Sequence, residues 1–354
     1  MTDRAGTTPA EREDHVGRIA QRRQFLTFGA AALLLCGAAH PAAAEDYFAG
    51  KTVSIICGFP PGGGVDAGAR LIARHLPRFI PGTPNVIVQN MQGAGGLGAA
   101  NHLYARAERN GLVLGLPGRD WVLHGALQLA GAQFDALNFN YIGSTGPGNN
   151  YGWIRADLGI RSMAELKASK QRIVFGALTP NTITSSAPKL LAAEGFPIQV
   201  VTGYQGTTQI IVAIEKSEAH AILTNLASFA RRPDLMDKLV VRVFQTLREV
   251  KDLPVLEDIV SEPARPLIRI INAPSATGMP FVAPPEVPAD RIAVLRKAFI
   301  TMAHDAAFVD EANTIGEPAD APLEGGKLAA LYAEIIANAT PEVAKAYKEL
   351  TGQN

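Results

Sequence analysis

The sequence predicts an α/β fold of two domains, each a parallel-type sheet flanked by helices, with a ligand cleft between the domains. Two successive sets of alternating strand-like and helix-like segments indicate this architecture. A stretch rich in Gly, Asn and Pro, 139–152, separates the two sets. The 354 residues also suit two domains of roughly 150 residues each.

Residues 1–44 have the features of a twin-arginine signal peptide. Arg22 and Arg23 precede a mild apolar run, 28–39, and a small-residue cleavage signal follows it. The long polar segment before the arginines favours the twin-arginine route over general secretion. The alternative, a membrane anchor, is disfavoured because the apolar run is shorter than the roughly 20 residues of a membrane span. We therefore expect export, with cleavage near Ala44.

The first set of segments runs strand–helix–strand–helix–strand. Its strands are predicted at 52–56, 86–88 and 112–116. Glycine-rich loops, 62–64 and 93–98, follow the first two strands, and apolar residues at helical spacing follow the loops. This order predicts a parallel sheet with right-handed crossovers. Cys57, which ends the first strand, is expected to be a packed thiol.

The second set repeats the alternation of strands and helices. Its strands are predicted at 173–176, 198–201, 221–223 and 240–244. Several prolines mark 270–288 as a return crossing that contains one strand, 279–283, and helices are predicted from 289 to the end. The predicted domains are therefore 45–146 together with 273–354, and 147–272.

Charge and motifs argue against several functions. Basic and acidic residues balance at 33 each, which argues against a nucleic-acid partner. The 7 histidines show no metal-ligand spacing, and no H-E-x-x-H, C-x-x-C or G-x-S-x-G motif occurs. The first glycine loop lacks the G-K-[ST] of a P-loop. We therefore expect no catalytic constellation, no metal and no cofactor.

The two glycine loops are candidate anion sites. Each lies between a strand and a helix, where the helix presents unpaired N–H groups and partial positive charge. Glycine lets a ligand approach this backbone closely. The simpler alternative is that both loops are only tight turns.

A further alternative is an exported α/β enzyme that uses a dinucleotide cofactor at 93–98. This loop matches G-x-G-x-x-G, and the acidic residue Asp120 lies about 20 residues further on. Three features disfavour a dinucleotide. The protein is expected to be exported, whereas a nicotinamide enzyme usually works where its cofactor is recycled. Asp120 lies several residues beyond the third strand, and 89–92 separate the second strand from its glycines, where the motif requires a tight turn.

Four segments resemble the periplasmic receptors of tripartite tricarboxylate transporters, known as the Bug family. They are FPPGGGVD at 59–66, NMQGAGGLGA at 90–99, GYQGTTQ at 203–209 and FVAPPEVPADRIAVLRKAF at 281–299. The resemblance covers nearly the whole chain after the signal peptide. It implies a periplasmic binding protein of Venus-flytrap fold, a monomer without catalysis. It also implies a small organic carboxylate ligand and membrane transporter subunits as partners.

The resemblance also implies which residues contact the ligand. They are Pro61, Gly62, Gly63, Gly64 and Asp66 in the first loop, Asn90, Gly93, Ala94 and Gly95 in the second, and Thr179, Asn181, Thr182, Tyr204, Gly206 and Asn225 in the second domain. The sequence departs from the family at 177–182, where the family has a Ser/Gly-rich loop, and at Gln205, where it has lysine. Neither glycine loop contains Lys or Arg, so backbone N–H groups and bridging waters would hold the anion.

Four residues near these loops carry further expectations. Asp66 begins the predicted helix, where it would either cap the helix or accept a hydrogen bond from the ligand. Gly63 is expected to need a positive φ. Arg119 and Trp121 follow the third strand, so both are candidates to face the cleft, although surface or core positions are the alternatives. Arg119 would pair with a second carboxylate and Trp121 would stack on an aromatic ring.

Replacing Arg22 and Arg23 together with lysine tests the predicted export route. The arginine pair is the signal that the export machinery recognises, so the double variant should remain in the cytoplasm. Arg12→Lys, a control outside the pair, should be exported. Immunoblots of periplasmic and cytoplasmic fractions measure the distribution, and normal export of the double variant would contradict the twin-arginine assignment.

Overall fold

The computed structural model describes residues 46–229, 232–238, 240–317 and 319–353. The predicted signal peptide, 1–44, lies outside these residues. One compact unit, Ala44–Asn354, contains both sheets of the protein. No helix in the described part is both long and apolar enough to cross a membrane.

Strands and helices alternate along most of this unit. The strands are β1 (Thr52–Cys57), β2 (Asn85–Asn90), β3 (Val113–Leu116), β4 (Asn140–Ser144), β5 (Tyr151–Arg155), β6 (Ile173–Gly176), β7 (Ile198–Val201), β8 (Ala221–Thr224), β9 (Val240–Gln245), β10 (Pro280–Ala283) and β11 (Leu323–Glu324). The helices are α1 (Gly64–His75), α2 (Leu97–Ala105), α3 (Trp121–Ala126), α4 (Met163–Ala168), α5 (Ile183–Ala193), α6 (Thr207–Glu215), α7 (Pro233–Lys238), α8 (Leu256–Ile259), α9 (Arg265–Thr277), α10 (Ala289–Ala303), α11 (Ala306–Thr314), α12 (Gly325–Asn338) and α13 (Pro341–Thr351). Short 3₁₀ turns lie at Asp46–Phe48, Leu76–Phe79, Ala94–Gly96, Ala136–Asn138, Ala156–Leu158, Leu226–Phe229 and Glu262–Ala264.

The first sheet has the strand order β11-β4-β10-β3-β1-β2. β1 lies parallel to β2 and β3, with Ile55 opposite Val88 and Leu114. β10 runs antiparallel to β3 and β4, and β11 runs antiparallel to β4. The predicted parallel core is present, but the whole sheet is mixed, since the chain re-enters it from the second sheet through β10.

The second sheet has the strand order β7-β6-β8-β5-β9. β6 lies parallel to β7 and β8, whereas β5 lies antiparallel to β8 and β9. All four residues of β8 are buried, as expected for a central strand that is covered on both faces. The four strands predicted for this set agree with the structure to within a residue. β5, which makes this sheet mixed as well, was not predicted.

Helices cover both sheets and connect them. α1 packs on β1 and β2, α2 on β3, and α5 on β7 and β8. α12 packs on β4, whereas α13 packs on α5, which covers the second sheet. The Tyr347 hydroxyl of α13 donates to the Asn181 carbonyl at 2.9 Å. The segment 273–354, predicted to belong to one domain, therefore contacts helices of both sheets, and the predicted domain boundaries stay predictions.

The helix α9 occupies part of the segment predicted as an irregular crossing. That prediction was wrong because proline disfavours the helix interior, and Pro274 lies inside α9. The helix buries Ile268, Ile270 and Ile271, and it packs against α5 and α12. Burial of these apolar side chains offsets the hydrogen bond that the proline removes. The predicted boundary at 272/273 falls inside this helix.

Apolar side chains form a core that extends between the sheets. One cluster includes Trp121 and Tyr332 beside the first sheet together with Phe175 and Leu191 beside the second. Cys57 is buried, as predicted for a packed thiol. Burial raises the pKa of this thiol to about 11, so it stays protonated at neutral pH and is not a nucleophile.

Candidate functional site

A cleft lies where the carboxyl ends of strands from the two sheets face each other. On the first-sheet side it is lined by the loop after β1 and by Arg119 and Asp120 after β3. On the second-sheet side it is lined by the first residues of α5 and α6, and by Asn225 and Ser228 after β8. Its apolar walls are Phe59, Val65, Leu178, Ile183 and Met279. Ligands of open α/β sheets bind at such strand ends, so this cleft is the candidate site.

The cleft is small in this conformation. Its cavity volume is about 80 Å³. One water molecule requires at least about 10–15 Å³ of such space, so the cleft has room for several water molecules or a small group of atoms. A larger hollow of about 540 Å³ lies at the surface between the end of α3 and α13. Gln128, Lys345 and Lys348 line that hollow, and neither a strand end nor a glycine loop is among its lining. We therefore place the site in the cleft.

The loop after β1 presents the start of α1 to the cleft. Gly63 is the N-cap residue of α1, and it has φ −83° and ψ 173°, an extended conformation. The expected positive φ lies instead at Gly62, with φ +87°. Among the described residues, no side chain caps the N-terminus of α1. A Cβ placed on Gly63 would have no atom closer than the Pro60 carbonyl oxygen at 3.9 Å, so the backbone here is open to a ligand.

Asp66 holds this loop in place through hydrogen bonds on the side away from the cleft. Its buried carboxylate accepts hydrogen bonds from Gly62 N and Arg70 Nε, both at 2.9 Å, and from Asn90 Nδ2 at 2.8 Å. Asn90 Nδ2 also donates to the Phe59 carbonyl at 2.8 Å. Burial alone would raise the pKa of Asp66, but these hydrogen bonds outweigh it and hold the pKa below its ordinary value. Asp66 and Asn90 therefore organise the loop, and neither lines the cleft.

The second glycine loop lies against the second-sheet side. A Cβ on Gly95 would lie 3.0 Å from both Thr179 Oγ1 and Thr182 Cγ2, and φ of Gly95 is +67°, so only glycine fits well here. With Tyr204, these loops surround a second cavity beside the cleft, also of about 80 Å³. The backbone of Gly93 and Ala94 lines this smaller cavity.

Two helices begin at the cleft on the second-sheet side, with different surroundings. Gly206 is the N-cap residue of α6, and in the described structure no side chain caps this helix. Gly206 and Thr207 both line the cleft. The N-terminus of α5 is covered instead, because Ile183 N donates to Asp120 Oδ1 at 3.0 Å. Asp120 belongs to the first-sheet side, so this bond crosses the cleft.

The predicted ligand contacts fall into three groups by position. Those that line the cleft are Gly63, Gly64, Gly206 and Asn225. Those that line the adjoining cavity are Gly93, Ala94, Gly95, Thr179 and Tyr204. Those that line neither cavity are Pro61, Gly62, Asp66, Asn90, Asn181 and Thr182. In the third group, Gly62, Asp66, Asn90, Asn181 and Thr182 make hydrogen bonds within the loops. Ligand contact stays a prediction for all three groups.

Arg119 and Trp121 differ in where the structure places them. Arg119 lines the cleft and is only 9% exposed. Its NH1 group donates to the Gly148 carbonyl at 3.0 Å, and its NH2 group lies 3.8 Å from Glu317 Oε1. Trp121 is fully buried, with its ring centroid 4.8 Å from that of Phe139. The suggestion that Trp121 faces the cleft was therefore wrong, since it is part of the aromatic core.

Two buried carboxyl groups flank Arg119. Burial raises the pKa of Asp120 to about 6, although the bond from Ile183 N and the charge of Arg119 act in the opposite direction. Burial likewise raises the pKa of Glu317 to about 7, against the charge of Arg119 and a hydrogen bond from the Thr145 hydroxyl. Both groups therefore change charge near the pH range in which the protein would operate.

The sequence did not point to several residues that line the cleft. Phe59 and Thr207 lie within the motifs at 59–66 and 203–209, but they were not among the predicted contacts. Asn150, Ser228 and Met279 come from segments that carried no motif, and only the folded chain brings them here. Within the described residues, no group of three or more His, Cys, Asp or Glu side chains is placed to hold a metal.

No protein-family model and no curated protein matches this sequence. Solved structures do match it. A structure described as a periplasmic transporter is 20% identical and has a TM-score of 0.66, over 84% of this chain and 97% of that one. Periplasmic binding protein BugD is 16% identical with a TM-score of 0.64, over 86% and 98% of the two chains. MatC from Rhodopseudomonas palustris, with bound malate, is 16% identical with a TM-score of 0.64, over 85% and 99%.

These matches establish the fold. The chain has the two-sheet α/β architecture of periplasmic binding proteins, which confirms the predicted fold class. The resemblance predicted from the sequence motifs agrees with the structural match to BugD.

Replacing Asp66 with alanine tests its role in holding the first loop. The change removes the charged acceptor for Gly62 N, Arg70 Nε and Asn90 Nδ2, and a hydrogen bond to a charged group contributes about 1.5–3 kcal/mol. We expect the free energy of unfolding to fall by about 2 kcal/mol in urea denaturation. Asp252→Ala, an exposed control, should change it little. Equal stability of the two variants would contradict the assigned role.

The raised pKa values of Asp120 and Glu317 predict how stability depends on pH. In the unfolded chain the two carboxyl groups lose their protons near their ordinary pKa values, 3.8 for Asp120 and 4.5 for Glu317, whereas the folded state keeps these protons to higher pH. Their stabilising contribution is therefore complete at low pH and is lost as pH rises through about 6 and about 7. Thermal melting of ligand-free protein should show this loss, and the double variant Asp120→Asn, Glu317→Gln should show a flatter profile. If the wild-type protein and the double variant lose stability with pH in parallel, Asp120 and Glu317 are not the source of the pH dependence.

Proposed function

We propose that this protein is a periplasmic solute receptor, not an enzyme, that binds a small organic carboxylate. The observation that supports this most is the pair of helix N-termini that open into one cleft from opposite sides. α1 begins at Gly64 after the N-cap Gly63, and α6 begins at Thr207 after the N-cap Gly206. All four of these residues line the cleft.

The chemistry of these two helix ends favours a carboxylate. Each helix presents backbone N–H groups without intrahelical acceptors, and its dipole adds partial positive charge. A carboxylate accepts several hydrogen bonds at once, and its charge suits both helix ends. Asn225 and Ser228 lie beside this point, since a Cβ on Gly64 would be 3.7 Å from Asn225 Oδ1 and 3.8 Å from Ser228 Oγ. The apolar walls of the cleft would hold the remainder of a small organic acid.

The structural neighbours support the same proposal. The MatC structure contains malate, and a second R. palustris protein of the same fold, with a TM-score of 0.64, contains adipate. Malate and adipate are both small organic carboxylates. By analogy, we propose that this protein delivers its ligand to membrane subunits of a tripartite tricarboxylate-type transporter. Periplasmic location follows from the predicted signal peptide, and we propose that the receptor is a monomer.

The alternative of a dinucleotide-dependent enzyme is not supported. Asp120, the residue expected to bind a ribose in that case, accepts a hydrogen bond from Ile183 N and is buried. The loop at 93–98 packs on Thr179 and Thr182, which leaves little space at Gly95.

Replacing Gly63 with valine tests the proposed carboxylate site. Gly63 has a negative φ and open space around its Cβ position, so valine should fold without strain but block the approach of a ligand to the N-terminus of α1. We expect the affinity for the tightest-binding acid of a carboxylate panel to fall at least tenfold, which corresponds to about 1.4 kcal/mol. Isothermal titration calorimetry measures the affinity, and thermal melting without ligand measures folding.

Gly326→Val is the matched control, because Gly326 also lies near a helix start, has open space around it and is remote from the cleft. It should leave affinity unchanged. Full affinity of a well-folded Gly63→Val protein would remove the first glycine loop from the site. Chemical conversion of a bound acid would contradict the proposal that the protein is not an enzyme.

A further inference from the structure

The helix α5 is capped by a side chain from the opposite side of the cleft. Its own N-cap residue, Thr182, directs its hydroxyl to the Thr179 carbonyl at 3.0 Å and to Thr184 Oγ1 at 2.8 Å. The acceptor for the first helical N–H group is Asp120 Oδ1, at 3.0 Å from Ile183 N. A carboxylate of the protein therefore occupies the position at which a ligand carboxylate would meet this helix.

This arrangement contrasts with the other two helices that begin at the cleft. The N-cap residues of α1 and α6 are glycines, and in the described part of the chain no side chain caps either helix. Three long helices thus direct their N-termini to one cleft, and one of the three already has a carboxylate partner.

The cationic side chain of the cleft, Arg119, already interacts with acidic groups of the protein, although its NH2 group has no hydrogen-bond partner among the described residues. Arg119 adjoins Asp120 in sequence, and its NH2 group lies 3.8 Å from Glu317 Oε1 while its NH1 group donates to the Gly148 carbonyl. The charge of this one guanidinium therefore acts on two carboxyl groups of the protein, those of Asp120 and Glu317. A ligand carboxylate placed near Arg119 would add a third acidic group to the buried cluster of Arg119, Asp120 and Glu317.

We propose that Asp120 is a specificity-determining residue that restricts the cleft to ligands with a single carboxylate. This inference rests on the proposed function, because it assumes that a carboxylate binds at the N-termini of α1 and α6. A second ligand carboxylate that reached across the cleft would meet the charge of Asp120 instead of a free helix end. Repulsion between like charges in a buried site is strong, so dicarboxylates should bind weakly.

Two further observations agree with this inference. Leu178, Ile183 and Met279 line the same cleft as Asp120, and they suit an apolar chain better than a second anion. The titratable groups close enough to Asp120 to interact with it electrostatically are Arg119, Tyr332 and Tyr347. Both tyrosines have pKa values raised by burial, so they remain neutral and leave the charge of Asp120 in place near pH 7.5.

Matched pairs of acids test the inference. Calorimetry at pH 7.5 compares succinate with monomethyl succinate, adipate with monomethyl adipate, and terephthalate with monomethyl terephthalate. In each pair the shape is similar, while the second charge is present or absent. We expect the wild-type protein to bind the monoester of its preferred pair at least tenfold more tightly than the diacid. Asp120→Asn, which keeps an amide oxygen for Ile183 N but removes the charge, should reduce that ratio to threefold or less.

Asp252→Asn removes an exposed charge far from the cleft lining and should leave the ratio unchanged. Asp120→Ser supplies a second neutral variant if Asp120→Asn does not fold. Equal or tighter binding of the diacid by the wild-type protein would overturn this inference and leave the proposed receptor function intact. An unchanged ratio in both neutral variants would also overturn it. If no mono- or diacid binds the wild-type protein, the proposed function fails, and this inference fails with it.

Discussion

The carboxylate of Asp66 fixes the part of the structure on which the proposed binding site depends. A run of three glycines has little conformational preference of its own, and ordering it costs more entropy than ordering other residues. Asp66 offsets that cost by binding Gly62 N in front of it, Arg70 beside it and Asn90 at the end of β2. As a result, the backbone of Gly63 and Gly64 is presented to the cleft in one conformation, before any ligand binds.

The two sides of the cleft touch in this structure, which is therefore a closed arrangement. Thr208 Oγ1 lies 3.5 Å from the Gly62 carbonyl oxygen, and Asp120 binds the first N–H group of α5. These two contacts join the two sides of the cleft. Separation would expose the N-terminus of α5 to water and return Asp120 to solvent. Burying the Asp120 carboxyl costs free energy and so favours the separated arrangement. The hydrogen bond from Ile183 N favours the closed arrangement.

Local patterns predicted much of this fold, and long-range contacts account for what they missed. Strand, glycine loop and helix follow one another in the sequence, so the loops after β1 and β2 could be placed from composition alone. The positive φ was assigned to Gly63 instead of Gly62 because a run of glycines does not show which of them turns. Trp121 resembled a cleft residue because it follows a strand, yet its ring joins the aromatic core. The bond from Ile183 N to Asp120 could not be predicted, since it links residues of two different sheets. No sequence pattern specifies such a pairing.

We propose that a ligand carboxylate lies between the N-termini of α1 and α6, and a crystal structure of the protein with the tightest-binding acid of the panel tests this binding mode. We expect a carboxylate oxygen within about 2.7–3.2 Å of the backbone nitrogen of Gly64 or Thr207, or one water molecule that hydrogen-bonds to both that nitrogen and the carboxylate. A carboxylate bound elsewhere, such as in the hollow beside α13, with the two helix ends unoccupied, would contradict it.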